Sequence, residues 1–407
     1  MQGWMIALIV IAGVVVLITA AFIAWSLVSV HIILGRRKPI GAKTSAKKNY
    51  TAEAYGVRTL WFDVVKSDMQ ELAITAYDGV SLGATLIKQP ESNGRVAICC
   101  HGYGATRRSM QPQAKLFYDR GFDVILPSMR GHAGAGGKVG MAWIDRFDLL
   151  RWIDKAVALF GKDVSIALCG TSMGGATVIA ASGMKPPSQV KCVIDDCGFS
   201  SQVDEYTACL KGVHLPPSWL LMPFKLGVKL VHGYSIADAD ITKLAANMSI
   251  PALFIHGSAD AFVPCALGQK LYDACSSADK KFITVDGAQH ALAYVTDTEK
   301  YVGEFTAFVD KHIPGSKLVN DTTQALEELE AQKEAEREEY ARKATEDAAP
   351  VESETPKLDN EEKAEQAEQS VATEEGNADA ADGIVSAAPV EKAQPEISEQ
   401  AAGPETK

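Results

Sequence analysis

Apolar and polar blocks divide the chain into three regions. Met5 to Leu34 contains no Asp, Glu, Lys or Arg, a run long enough for a helix to cross a bilayer. From about residue 52 to 312, short apolar runs alternate with stretches of helical period. Segments 71–77 and 80–87, joined at Asp78-Gly79, predict an opening hairpin. Strands are predicted at 96–100, 124–126, 164–169, 190–194, 252–255 and 282–285. Helices are predicted at 111–118, 147–160, 173–184, 266–275 and 302–311. Runs such as 96–100 and 166–169 are apolar at every position, as strands buried on both faces of a parallel sheet must be. The class is therefore α/β, with a mainly parallel central sheet flanked by helices. Residues 202–248 break the rhythm with Pro216-Pro217 and Trp219-Leu220-Leu221-Met222-Pro223; they read as a cap inserted over the strand ends. From 316 onward Ala, Glu, Lys, Gln and Asp dominate. That segment reads as an acidic, disordered tail, with a helix favoured by propensity alone over 326–343.

Charge sharpens this division. The tail holds 25 acidic and nine basic residues, whereas 1–315 holds 31 basic and 26 acidic. The overall net charge of −11 thus belongs to the tail and describes no substrate. Without a basic stripe, nucleic acid is not expected as a partner. Trp4 and Trp25 stand about 31 Å apart along a helix, the thickness of a hydrocarbon core, and suit its two interfaces. A cleavable signal peptide would need a basic start, a shorter core and a small-x-small site, so an uncleaved anchor is expected. Arg36, Arg37, Lys38, Lys43, Lys47 and Lys48 follow it, against no basic residue before it. That asymmetry places the body on the cytoplasmic side of the cell membrane, in a single-pass arrangement. Eight cysteines without a C-x-x-C pair suit a reducing compartment and offer no zinc site.

Chemistry enters at Gly170-Thr171-Ser172-Met173-Gly174, between an apolar strand and a helix. In a G-x-S-x-G turn the flanking glycines let strand and helix approach while the serine is held at a sharp bend. An ordinary N-cap serine gives the same local pattern, so the partners matter. A serine nucleophile needs a base, and the base needs an acid to hold its tautomer. Asp260 follows the strand at 252–255 and His290 the strand at 282–285. Asp195 and Asp196, after another strand, are alternative acids or ties between cap and sheet. His101-Gly102-Tyr103-Gly104 follows a further strand; the backbone N–H groups of Tyr103 and Met173 are the expected oxyanion donors. His101 and His256 read as structural histidines, Asp286 as a turn residue, His132 as part of a glycine-rich lid over 131–137, and Arg107 and Arg108 as solvated charges. The cluster 219–224 reads as cap packing, with an acyl-binding wall as the alternative.

The set "HGYGATRRSM", "SMRGHAGAGG", "GTSMGGAT", "DDCGFSS", "HGSADAFVP" and "GAQHA" resembles the α/β-hydrolase superfamily, and within it membrane-anchored bacterial relatives of the BEM46-like serine hydrolases. The resemblance spans about 71–312. It implies an α/β-hydrolase fold, with Ser172 as nucleophile, Asp260 as acid, His290 as base, and Tyr103 and Met173 as oxyanion hole. Ser128 stands where relatives often carry aspartate. The expected organisation is an anchor at 1–35, a basic juxtamembrane linker at 36–51, a catalytic domain at 52–315 with its cap at 202–248, and the tail at 316–407. The expected activity is hydrolysis of a carboxylic ester or thioester on a small-molecule or lipid-like acyl substrate, with no metal or cofactor. An acyltransferase or a peptidase would use the same triad, and a scaffold would have no reason to keep it.

Overall fold

In the computed structural model, residues 3–35 and 60–347 are described; the basic linker and the tail beyond 347 lie outside them. Eight strands form one sheet: β1 (Met69–Thr75), β2 (Ser81–Ile87), β3 (Arg95–Cys100), β4 (Asp123–Pro127), β5 (Ser165–Thr171), β6 (Val190–Asp196), β7 (Ala252–Gly257) and β8 (Lys280–Val285). Their order is β1-β2-β4-β3-β5-β6-β7-β8. β2 runs antiparallel to both β1 and β4, and every later neighbouring pair is parallel. The hairpin turn sits at Asp78-Gly79, where Gly79 takes φ 80°, a left-handed conformation open to glycine without cost.

The helices are α1 (Gly3–Leu34), α2 (Gln111–Tyr118), α3 (Asp145–Phe160), α4 (Met173–Ser182), α5 (Gln202–Gly212), α6 (Pro217–His232), α7 (Ile241–Ala245), α8 (Cys265–Ala274), α9 (Ala293–Thr296), α10 (Thr298–His312) and α11 (Thr323–Asp347). Each central strand feeds two cores. Val96, Ile98, Ile166 and Leu168 enter one with α3, α4 and the cap, while Ala97, Cys99, Ala167 and Cys169 enter the other with α2 and α10. Alternation along an extended chain divides them this way, and burial on both faces explains the unbroken apolar runs. The cap comprises α5, α6 and α7, inside the interval read from sequence.

Helix α1 is long and apolar enough to cross a membrane, and its most apolar stretch has no residue buried in the protein. All residues from 3 to 25 are exposed, whereas Ser26, Ser29, Val30 and Leu34 are buried against the body. A side-chain carbon at Gly227 of α6 would overlap the Ser26 carbonyl, so the glycine permits this helix crossing.

Residues 319–326, at the start of the segment read as a tail, pack on the body. Val319 and Asn320 N–H donate to the Asp119 carbonyl (2.8 and 3.0 Å), and Trp61 Nε1 donates to Thr322 Oγ1 (2.9 Å). Leu326 is buried in the second core. These partners lie 200 to 261 residues upstream and leave no local mark in the composition. The chain divides into units Met1–Lys343 and Ala344–Lys407; the second is described only over 344–347, the end of α11.

Candidate active site

Ser172, Asp260, His290 and the loop carrying Tyr103 all follow carboxyl ends of parallel strands, where open α/β sheets build their sites. Ser172 sits between β5 and α4 with φ 58° and ψ −118°, a strained conformation for a residue with a side chain. Its N–H donates to the Asp196 carbonyl (2.7 Å). A methyl at Gly170 would overlap the Gly174 carbonyl, and one at Gly174 would overlap that of Cys100. The turn therefore exists only with glycine at both places.

The distances close a relay. Ser172 Oγ stands 2.9 Å from His290 Nε2, and His290 Nδ1 stands 2.7 Å from Asp260 Oδ2. With its proton on Nδ1, the imidazole donates to Asp260 and presents a lone pair to the serine hydroxyl. Asp260 Oδ1 also accepts from the N–H groups of Phe262 and Val263 (3.0 and 2.9 Å). Burial pushes the Asp260 carboxyl up, but hydrogen bonds from His256 and His290, the His290 charge and the Val263 amide prevail and hold it at about 2. It is a fixed anion. The Phe262 ring lies 4.9 Å from that of His290.

The loop after β3 lies against the serine. A Cβ at Gly102 would stand 3.3 Å from Ser172 Cβ and 3.8 Å from Ser172 Oγ, so the segment that carries Tyr103 runs beside the serine. Two buried histidines hold this loop. Met129 N–H donates to His101 Nε2 (3.1 Å), while His101 Nδ1 bonds the Gly102 carbonyl (2.8 Å). Burial, reinforced by His132, pushes His101 down to about 3 and keeps it neutral. Gly104 N–H donates to His132 Nε2 (2.9 Å). His132 is buried, so the reading of this loop as a flexible lid is corrected: it braces the loop after β3. Arg130 binds Asp148 with two nitrogens (2.5 and 2.6 Å) and Asp78 at 2.9 Å. The loop that carries Ser128 is thereby tied to α3 and the hairpin turn.

The other candidates are placed outside the relay. Asp196 Oδ2 accepts from Tyr301 OH (2.9 Å) and Gln113 Nε2 (3.4 Å), so it ties the sheet to α10 and α2 rather than to the cap. Asp195 packs against Gly175 and Gly198, and burial raises its carboxyl to about 7. Asp286 accepts from Ser258 Oγ (2.9 Å) across the β7 and β8 turns. Arg107 pairs with Glu71 (2.8 Å), and Arg108 lies over the Phe62 ring. His256 Nε2 stands 2.9 Å from the Val263 carbonyl and 3.5 Å from Asp260. Sequence reasoning missed Glu205 on α5. It is buried, with Oε1 accepting from the Cys209 thiol (3.4 Å) and no partner for Oε2 among the described residues. Burial lifts it to about 7. A lone glutamate inside an amphipathic cap helix gives no signal distinguishing it from a surface charge.

Donor atoms of Cys197, Asp260 and His290 lie within 4.8 Å of one another. Burial pushes the Cys197 thiol far up, and Asp260 and His290 already bond each other, so this set is poorly prepared as a metal site.

A family model described as alpha/beta hydrolase fold matches residues 96–223, and one described as serine aminopeptidase, S33, matches 220–299. The chain belongs to the α/β-hydrolase superfamily. This hydrolase is 25% identical to YqkD of Bacillus subtilis over 241 residues, covering 58% of the chain and 75% of YqkD. It is 26% identical to YfhR of Escherichia coli strain K12 over 236 residues, covering 55% of the chain and 74% of YfhR. Among solved structures, the Pyrococcus furiosus esterase Pf2001 shares the fold at 18% identity and a TM-score of 0.51, over 62% of this hydrolase and 94% of the esterase.

Proposed function

We propose that this hydrolase is a serine enzyme, anchored in the cell membrane by α1, that cleaves a carboxylic ester or thioester through an acyl-enzyme on Ser172. The observation that carries the reading is the pair of hydrogen bonds joining Ser172, His290 and Asp260 at a strained strand-to-helix turn. Ser172 Oγ attacks the carbonyl carbon while His290 Nε2 takes its proton. The tetrahedral oxyanion rests on the backbone N–H groups of Tyr103 and Met173. Collapse expels the alcohol or thiol, which receives the proton from His290, and water activated by the same imidazole releases the acid. Asp260 stays ionised throughout, holding the tautomer and stabilising the imidazolium. The esterase named among the solved neighbours supports an ester substrate.

A peptidase is the second reading, because the serine aminopeptidase model spans 220–299 and with it Asp260 and His290. The basic residues after α1 support a body on the cytoplasmic side of the membrane. The test is turnover of p-nitrophenyl acetate against an alanine p-nitroanilide by wild type and Ser172→Ala. The ester should be preferred, and the substitution should lower its turnover by about 10⁴-fold or more. Undiminished turnover in a folded Ser172→Ala protein contradicts the reading.

A further inference from the structure

The cap carries an apolar face that the fold leaves uncovered. On α6, Trp219 is 80% exposed, Met222 64% and Leu230 59%; Val213 and Leu215, just before the helix, are 63% and 46% exposed. Positions 219, 222, 226 and 230 recur on one face of a helix. α1 crosses α6 at Gly227, about 100° round the helix from Leu226 in that row, so the exposed face lies to one side of α1. An exposed apolar face of this kind marks a protein or membrane contact.

Two observations choose the membrane. Residues 3–25 of α1 form an exposed apolar rod, and its covered part begins at Ser26, directly after Trp25. If Trp25 marks the interface, the α6 crossing at Ser26 and Val30 lies within about 8 Å of it along the helix, inside or just beyond the headgroup layer. The cap's charge agrees. From Lys211 to His232 the chain has Lys211, Lys225 and Lys229 and no acidic residue, and both lysines of α6 are exposed. Exposed apolar side chains beside lysines are the pattern of an interfacial helix on an anionic bilayer.

The anchor also reaches the site. Tyr103 OH donates to the Ile33 carbonyl in the last turn of α1 (2.7 Å), and Val139 N–H donates to that of Leu34 (3.1 Å). Ile33 lies about 12 Å beyond Trp25 along the helix. One tyrosine side chain therefore separates that level from the oxyanion loop.

We infer that the face formed by Val213, Leu215, Trp219, Met222 and Leu230 seats on the lipid bilayer beside α1, so that Ser172 works on acyl groups carried by membrane lipids. The seating rests on the proposed span of α1, and the substrate on the proposed serine chemistry. The test uses the full chain in nanodiscs of phosphatidylcholine and phosphatidylglycerol. Trp4→Phe and Trp25→Phe remove the anchor's own tryptophans, and lipids brominated near the carbonyl end of their chains serve as quencher. Emission should fall, and adding Trp219→Phe should remove that loss. Unquenched Trp219 overturns the seating, as does protection of Trp219 by pairing of two chains, seen as a doubled particle mass. In a second arm, Trp219→Ser with Met222→Ser should lower hydrolysis of a long-chain p-nitrophenyl ester dissolved in vesicles about tenfold, while p-nitrophenyl acetate in water is hydrolysed as before. Equal loss on both esters, or on neither, refutes delivery from the bilayer. A wild type inert toward both esters refutes the serine chemistry and with it lipid hydrolysis, while quenching still decides the seating.

Discussion

Glu205→Gln should change how the stability of this hydrolase depends on pH. The Glu205 carboxyl, on α5 of the cap, is buried with one oxygen lacking a partner among the described residues, and burial lifts it from 4.5 to about 7. Below pH 4.5 folded and unfolded states both hold the proton, and no penalty arises. Between 4.5 and 7 the unfolded chain releases the proton while the folded state retains it, so stability falls as pH rises. Above about 7 the full penalty applies. At about 1.4 kcal/mol per tenfold change in proton affinity, it amounts to about 3 kcal/mol. Glutamine imitates the protonated acid and cannot ionise; any cost of its extra N–H is the same at both pH values. Thermal unfolding of wild type and Glu205→Gln at pH 4 and pH 8 isolates the effect, because Asp145 and Asp195, also lifted to about 7 by burial, titrate in both proteins. The melting temperature of wild type should drop between pH 4 and pH 8 by roughly 6–12 °C more than that of the variant. Identical drops would refute the reasoning.

Asp260→Asn should lower ester turnover by about 10⁴-fold, while Asp196→Asn, which keeps a partner for Tyr301, should lose less than a tenth of that factor. A larger loss for Asp196→Asn in a folded protein would identify the wrong acid. A chain ending at residue 315 should melt roughly 10 °C below one ending at 347, since it loses the buried Leu326, worth about 1.5–3 kcal/mol, and several hydrogen bonds worth about 1 kcal/mol each. Equal melting temperatures would show that 316–326 adds nothing. A tag at Lys407 should resist protease in intact spheroplasts and be digested after lysis; digestion before lysis would reverse the orientation.

Much of the sheet is legible in the sequence because a strand buried on both faces must be apolar at consecutive positions, as 96–100 and 166–169 are. The relay residues are legible for a related reason. Strand ends in a parallel sheet converge, so Ser172, Asp260 and His290 could be gathered from three distant turns without knowing their distances. What pattern does not carry is the pairing of remote segments. Nothing near His132 shows that its ring accepts from Gly104, and nothing near Thr322 points to Trp61. Ser26 meets Gly227 because helix crossings need small residues, yet small residues are too common to reveal which pairs meet. Asp196 shows the same limit: its place at the end of β6 admitted an acid's role, and only its bond with Tyr301 assigns it to the packing of α10.

The central claim is that Ser172 is an activated nucleophile. Reaction of the full chain with a fluorophosphonate, followed by proteolysis and mass spectrometry of the adduct, tests it most directly. The account predicts a single phosphonylated peptide modified at Ser172, lost in Ser172→Ala and strongly slowed in His290→Ala. Modification at another residue, or labelling that persists in Ser172→Ala, would contradict it.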